Sequence, residues 1–465
     1  MKGLVIAGIK SGCGKTTLSL GLMAALAKRG FKVAPFKVGP DFIDPGHHSR
    51  ITGVASRNLD GWMLSKPYNL ECFRRNIRGA DVAVVEGVMG LFDGYNGKSD
   101  AGSTAQMAKW LGLPVVLVVD AKSMARSAAA VIMGFERFDP ELTFGGVIFN
   151  NVGSKRHLQY LIDSVQDNIR MPCLGGVMHN QEVTIPERHL GLVTRDDHSL
   201  AAETIDRLAQ LIDESIDLDF LIQNLPETPF PGSSESLWKN NREETVQIGV
   251  ARDNAFCFYY QDNLELLEKQ GAKLTYFSPM VDAYLPENIS GLYLGGGYPE
   301  LFAQKLSDNT DLRNQIKAKS DDGMPIYAEC GGFMYLCKEL CDQTGDRYPM
   351  TGCFPFTAKM FSRLKALGYR EVTLAIDTVI GKTGQIIRGH EFHYSELAQM
   401  ASSVPTAYRV SDRAGMDKVP EGYWVNQTLA SYNHLHFGSQ PQTAVNFVKN
   451  CQNYRQKKEE IHETR

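Results

Sequence analysis

The nine cysteines of this 465-residue chain include no Cys-x-x-Cys pair, and none of them completes a zinc-ligand pattern. Cys337 and Cys341 stand four apart without a second pair or a histidine set to join them. A zinc ribbon and a disulfide framework are therefore both excluded. The stretch Gly389-His390-Glu391-Phe392-His393 is one residue short of His-Glu-x-x-His, which removes a zinc protease. No apolar run reaches the length of a membrane span. The first residues carry one lysine and pass directly into an apolar strand, unlike a signal peptide. The net charge of −4 gives no cationic excess for nucleic acid or a membrane surface. These absences predict a reduced, cytoplasmic protein without nucleic-acid or membrane partners. The length suffices for two or three domains.

What is present begins at the N-terminus. Leu4-Val5-Ile6-Ala7 reads as a buried strand, and Leu18 to Arg29 carries apolar residues at helical spacing. Between them lies Gly8-Ile9-Lys10-Ser11-Gly12-Cys13-Gly14-Lys15-Thr16-Thr17. Strand, glycine-rich turn and helix start make an anion site, because loop N–H groups and the helix dipole converge there. Ser11 to Thr17 are thus predicted to cradle the phosphates of ATP. Lys15 would reach the β- and γ-phosphates, and Thr16 would place its hydroxyl on Mg²⁺. Five residues separate Gly8 from Gly14, a spacing that resembles the dethiobiotin synthetase branch of P-loop proteins. Lys10 stands where MinD-type ATPases carry a second lysine.

Further strands are expected at Lys32–Phe36, Ala80–Val85, Leu113–Val119 and Phe144–Phe149. Alternation of strand and helix through about residue 215 implies a doubly wound, mostly parallel sheet. The first of these strands leads into Lys37-Val38-Gly39-Pro40-Asp41-Phe42-Ile43-Asp44-Pro45. Here Lys37 is expected to meet phosphate or a substrate carboxylate, with Asp41 or Asp44 supporting Mg²⁺. Glu86 closes its strand beside the P-loop, where such folds hold the metal. Asn150, after a late strand, is a candidate for reading a purine edge.

Pro226 to Glu244 is rich in proline, serine and mixed charge, and reads as a linker. Beyond it the chain is again α/β. Pro325 to Leu336 contains an apolar strand, then Ala328-Glu329-Cys330-Gly331-Gly332, then a helix. This arrangement resembles a nucleophile elbow with cysteine in place of serine. Gly331 would offer its N–H to an oxyanion, with a second donor from Gly296-Gly297. A thiolate needs a base, and His434 or His436 is positioned in sequence to supply it. The charged end of the chain is expected to be solvated.

Taken together, these motifs resemble the cobyrinic acid a,c-diamide synthase family almost end to end. The likeness rests on Ser11 to Thr17, Lys37 to Asp41, Glu86 to Gly94, Ala251-Arg252-Asp253, Gly295 to Leu301, Ala328 to Gly332 and His434 to Phe437. It implies an α/β chain of two domains: an N-terminal P-loop amidoligase over 1–225 and a class I glutaminase-like domain over 245–445. A linker over 226–244 and a charged tail over 446–465 complete the division. It further implies ATP- and Mg²⁺-dependent amidation of the a and c acetates of cobyrinic acid, a tetrapyrrole polycarboxylate. Ammonia would come from L-glutamine and pass between the domains; a homodimer is compatible with this plan. The related nickel-sirohydrochlorin a,c-diamide synthases share the motifs. A MinD-like ATPase switch would account for Lys10 but not for the cysteine elbow. In class I glutaminases a glutamate follows the basic histidine by two residues. If His434 is the base, His436 occupies that place.

Overall fold

A computed structural model describes residues 1–179, 201–228, 246–398, 404–416 and 418–463. These fall into two compact units, one up to residue 228 and the other from residue 246 onward. Of the expected linker, residues 229–244 lie outside the described residues.

The first unit is built on seven strands: β1 (Lys2–Gly8), β2 (Val33–Val38), β3 (Arg57–Leu59), β4 (Val82–Glu86), β5 (Val115–Asp120), β6 (Phe144–Val152) and β7 (Cys173–Met178). Their order is β3-β2-β4-β1-β5-β6-β7, and every pairing is parallel. Val82 to Val85 and Val115 to Val119 are buried throughout, as strands covered by helices on both faces must be. The register decides where the chemistry sits. Ile6 lies opposite Glu86 on one side, and Lys37 lies opposite Glu86 on the other. The loop leaving β1, the end of β4 and the end of β2 therefore share one carboxyl edge. Helix α1 (Lys15–Lys28) packs beneath this edge. Its Gly21 admits close approach of the helix Ala202–Ser215: a Cβ there would lie 2.6 Å from Ile212 Cγ1.

The second unit carries a ten-stranded sheet. Strands β8 (Val246–Ala251), β9 (Ala272–Phe277), β10 (Gly291–Leu294) and β11 (Ile326–Glu329) are parallel, and Thr428–Ser431 extends them beside β11. Beyond Thr428–Ser431 the sheet turns antiparallel through Val419–Val425, Thr406–Asp412, Ala366–Leu374, Ile386–His393 and His434–Leu435. This extension returns Ile386–His393 to the end of the chain, with His390 opposite His434.

The charged end expected to be solvated, from about Gln452 onward, is the later part of a longer helix. One helix spans Gln442–Glu463, crossing the expected boundary at 445. Ala444, Phe447, Val448 and Cys451 recur at helical spacing and are buried in the second unit's core. The charge of the later residues masks that stripe in the sequence. Among the described residues, no helix is long and apolar enough to cross a membrane.

Candidate active sites

The loop after β1 is fastened at both sides. Ile9 N–H donates to the Val118 carbonyl at 3.2 Å, and Leu91 N–H donates to the Gly8 carbonyl at 2.8 Å. Gly14 caps α1 with φ 94°, in the left-handed region, and a Cβ there would fall 2.0 Å from Asn150 Nδ2. Only glycine fits. Asn150 itself donates to the Cys13 carbonyl at 3.0 Å. In the structure this residue braces the loop. Lys15 lays its amine across the loop toward the Lys10 carbonyl at 3.3 Å. Burial holds that amine below its ordinary pKa. Lys10 points outward, its amine 3.5 Å from Asp120 of the same chain.

Below the loop, four side chains converge. Thr16 Oγ1 donates to Glu86 Oε1 at 2.6 Å and lies 3.5 Å from Asp44 Oδ2. Lys37 Nζ bridges the same two oxygens, at 2.8 Å from Glu86 and 2.6 Å from Asp44. Lys37 is thus buried in an ion-pair cluster, a more enclosed place than its loop composition suggests. Burial acts to lower its pKa, but Glu86 and Asp44 outweigh it and hold the amine well above its ordinary value. Burial likewise acts to raise the Glu86 carboxyl, yet Lys37 and a bond from His48 keep it far below the carboxylate range. A hydroxyl and two carboxylates, all hard oxygen donors, meet at one cationic point. That donor set fits Mg²⁺. Asp41 is not among them: its Oδ1 accepts the N–H groups of Ile43 and Asp44 at 2.8 and 3.2 Å, at the start of the helix Ile43–Thr52.

His48 was not singled out in the sequence. It is buried one turn along that helix, with Nε2 2.7 Å from Glu86 Oε2 and Nδ1 3.2 Å from Ser56 Oγ. The four-residue step from Asp44 places both on one helix face, which is the signal that could have found it.

In the second unit, Cys330 separates β11 from the helix Gly331–Leu336 and adopts φ 45°, ψ −102°. Such a backbone costs a non-glycine residue about 1–3 kcal/mol and persists only when its surroundings enforce it. They do. Cys330 N–H donates to the Ser431 carbonyl at 2.7 Å, and Gly332 N–H donates to the Gly295 carbonyl at 2.9 Å. A Cβ at Gly332 would lie 2.3 Å from the Leu294 carbonyl oxygen, so the turn tolerates no side chain. Burial pushes the Cys330 thiol upward, and the Glu300 carboxylate adds to this, while the Gly331 N–H bonded to the sulfur opposes it. An upward shift favours the protonated thiol, and a thiol becomes a nucleophile only when a base takes its proton.

The glycine loop opposite is more specific than the sequence suggests. Gly296 N–H donates to the Phe258 carbonyl at 3.2 Å, so it is committed to backbone pairing. Gly297 N instead lies 2.9 Å from the Cβ position of Gly331. Gly297 and Gly331 are thus neighbours at the elbow.

His434 and His436 separate clearly. The His434 ring lies against Gly296, whose added Cβ would fall 2.3 Å from Cε1. It stacks on His390 with centroids 4.9 Å apart, and its Nδ1 lies 4.0 Å from Glu329 Oε2. Burial, followed by the neighbouring His390 and His393, lowers its pKa well below the ordinary value. His436 Nδ1 instead accepts the Gly438 N–H at 3.0 Å, and its ring packs 4.5 Å from Tyr260. Burial lowers its pKa to about 4. His436 therefore serves the turn that follows it. Glu391, bonded to Arg370 Nε and His393 Nε2 at 2.7 Å each, lies on the strand Ile386–His393. Its bond to His393 follows from the two-residue strand period, which a helical zinc pattern does not test.

Gly296→Ala is expected to push the His434 ring aside. Glutamine-driven turnover should fall about 10- to 100-fold, as for a catalytic group displaced by an ångström. Turnover with added ammonia should hold, and parallel assays with the two nitrogen sources check it.

Residues 4–193 match the CobQ/CobB/MinD/ParA nucleotide binding domain family, and residues 247–442 match the CobB/CobQ-like glutamine amidotransferase domain family. Over longer spans the chain is similar to three proteins named cobyrinate a,c-diamide synthase. It is 42% identical to that of Dehalococcoides mccartyi over 452 residues, covering 96% of this chain and 97% of that one. It is 45% identical to that of Syntrophotalea carbinolica over 453 residues, covering 96% and 98%. It is 42% identical to that of Salmonella typhimurium over 442 residues, covering 94% and 95%.

Proposed function

This chain belongs to the cobyrinate a,c-diamide synthase family of glutamine-hydrolysing ligases, and we propose that it amidates the a and c acetates of cobyrinic acid through acyl phosphates. The observation that carries this reading is the pair of half-sites in one chain. One gathers Lys15, Thr16, Lys37, Asp44 and Glu86 at a P-loop; the other carries Cys330, Gly331 and Gly297 at an elbow, with His434 against the neighbouring Gly296.

A carboxylate is a poor electrophile for ammonia. Attack of its oxygen on the γ-phosphorus of ATP, with ADP leaving, gives an acyl phosphate that ammonia can displace as phosphate. Such a transfer is catalysed mainly by positioning and charge neutralisation. The backbone of Ser11 to Thr17 would hold the phosphates, with Lys15 over the β- and γ-groups. Thr16, Asp44 and Glu86 would hold Mg²⁺, which supplies charge neutralisation at the phosphates. Lys37 would carry a further positive charge beside the transferred group.

In the second unit, His434 would take the Cys330 proton as sulfur attacks the glutamine carboxamide. It would return that proton to the departing ammonia. The N–H groups of Gly331 and Gly297 would stabilise the oxyanion, a contribution of about 3–4 kcal/mol for one such donor. Water then releases glutamate from the thioester. The ammonia would pass to the acyl phosphate.

ATP turnover tests the choice of macrocycle. With glutamine present, cobyrinic acid is expected to stimulate ADP release and to yield the diamide. Stimulation by nickel-sirohydrochlorin alone would transfer the same chemistry to the other tetrapyrrole. Stimulation by neither would set the amidation reading aside.

A further inference from the structure

We propose that Glu329 orients His434, taking the part that a glutamate two residues after the histidine has in class I glutaminases. This rests on the glutaminase reading of the second unit and assigns a residue which that reading left without a role. His436 occupies the usual place of the glutamate, and its ring nitrogen is given to Gly438 N–H. The orienting carboxylate must therefore come from elsewhere in the chain.

Glu329 is fully enclosed, and its Oε2 lies 4.0 Å from His434 Nδ1. Its other contacts fix the carboxylate to both halves of the catalytic pair. It directly precedes Cys330 in sequence, while its Oε1 accepts the N–H of Leu435 at 2.9 Å, directly after His434. Tyr327 O–H donates to Oε1 at 2.6 Å and Tyr293 O–H to Oε2 at 3.0 Å, which holds the group in one orientation. The other acidic groups nearby are engaged differently. Glu391 holds Arg370 and His393, and Glu421 holds Ser431, Tyr432 and Asn433.

A carboxylate on the Nδ1 side favours the tautomer with its proton there, which leaves Nε2 to accept the thiol proton. It also stabilises the imidazolium formed when that proton arrives. Contacts of this kind are long in a resting site and tighten as charge develops. The other titratable groups facing His434 are His390, stacked on its ring, and His393; neither can carry negative charge, so the role of the carboxylate falls to Glu329. Glu329 acts through His434 and is a positioning residue.

Glu329→Gln tests this, because the amide oxygen still accepts from Tyr327 and Leu435 and so keeps the packing. The glutaminase kcat should fall about 10²- to 10⁴-fold, as when the carboxylate behind a catalytic histidine is neutralised. The glutamine KM should stay within about threefold, since the residue does not touch substrate. Alkylation of Cys330 by iodoacetamide at neutral pH should slow in parallel, and ammonia-driven amidation should be kept. The inference is overturned by a kcat within threefold of wild type, or by a raised KM at constant kcat. Parallel loss of ammonia-driven amidation would overturn it too, by marking a role in folding. Cys330→Ala, run alongside, separates the two readings. If that variant still uses glutamine, the glutaminase reading itself has failed.

Discussion

Cys330→Ala is expected to abolish glutamine-driven amidation, by at least about 10⁴-fold, since removing a covalent nucleophile removes the whole pathway through it. Amidation driven by added ammonia should continue near the wild-type rate. The geometry supports so clean a split. Cys330 is placed by contacts within its own unit: its N–H donates to the Ser431 carbonyl and its carbonyl accepts from Met334 N–H. Neither of these reaches the P-loop cluster. The substitution also removes no packing of consequence, because alanine has the cysteine Cβ and the strained backbone is imposed by the turn. Measuring tetrapyrrole amide formation with the two nitrogen sources gives the result directly. Loss with both would mean that the elbow is needed for folding rather than for hydrolysis of glutamine.

Glu86→Gln is expected to remove amidation with either nitrogen source, by at least about 10²-fold. Glu86 is the centre of the first unit's cluster, touching Thr16, Lys37 and His48 together. The neutral amide is a weaker ligand for Mg²⁺ and leaves the Lys37 ammonium with Asp44 as its near anionic partner. Breaking one side of a buried ion pair costs about 3–5 kcal/mol when no other charge compensates. Asp44 does compensate in part, so the loss in stability should fall toward the lower end. Thermal unfolding, with and without ATP and Mg²⁺, reads both effects. Wild type should gain stability from the nucleotide and metal, and the variant should gain little. A variant that binds and is stabilised as wild type is would remove Glu86 from the metal site.

The parts of both sites that lie within one contiguous stretch were legible in the sequence. The P-loop, the acidic end of β4 and the cysteine elbow each join strand, turn and helix over a dozen residues, and their local backbone needs select the residues. The rest depends on which strands become neighbours. Lys37 reads as a loop lysine until β2 is known to lie beside β4 with Lys37 opposite Glu86. His390 and Glu391 read as a failed zinc motif until the antiparallel extension returns their strand to His434. Asp41 and Asp44 are equivalent by composition, and only the helix start between them separates a capping carboxylate from a cluster member. Gly296 and Gly297 are likewise equivalent until the pairing with Phe258 claims one amide. The buried face of the final helix was hidden because its charged residues dominate the composition of the segment.

Oxygen transfer from substrate to phosphate tests the central claim most directly. Cobyrinic acid labelled with oxygen-18 in its carboxylates would be turned over with ATP, Mg²⁺ and glutamine. An acyl phosphate requires one labelled oxygen in the released phosphate for every amide formed. Unlabelled phosphate accompanying full conversion to the diamide would contradict the account.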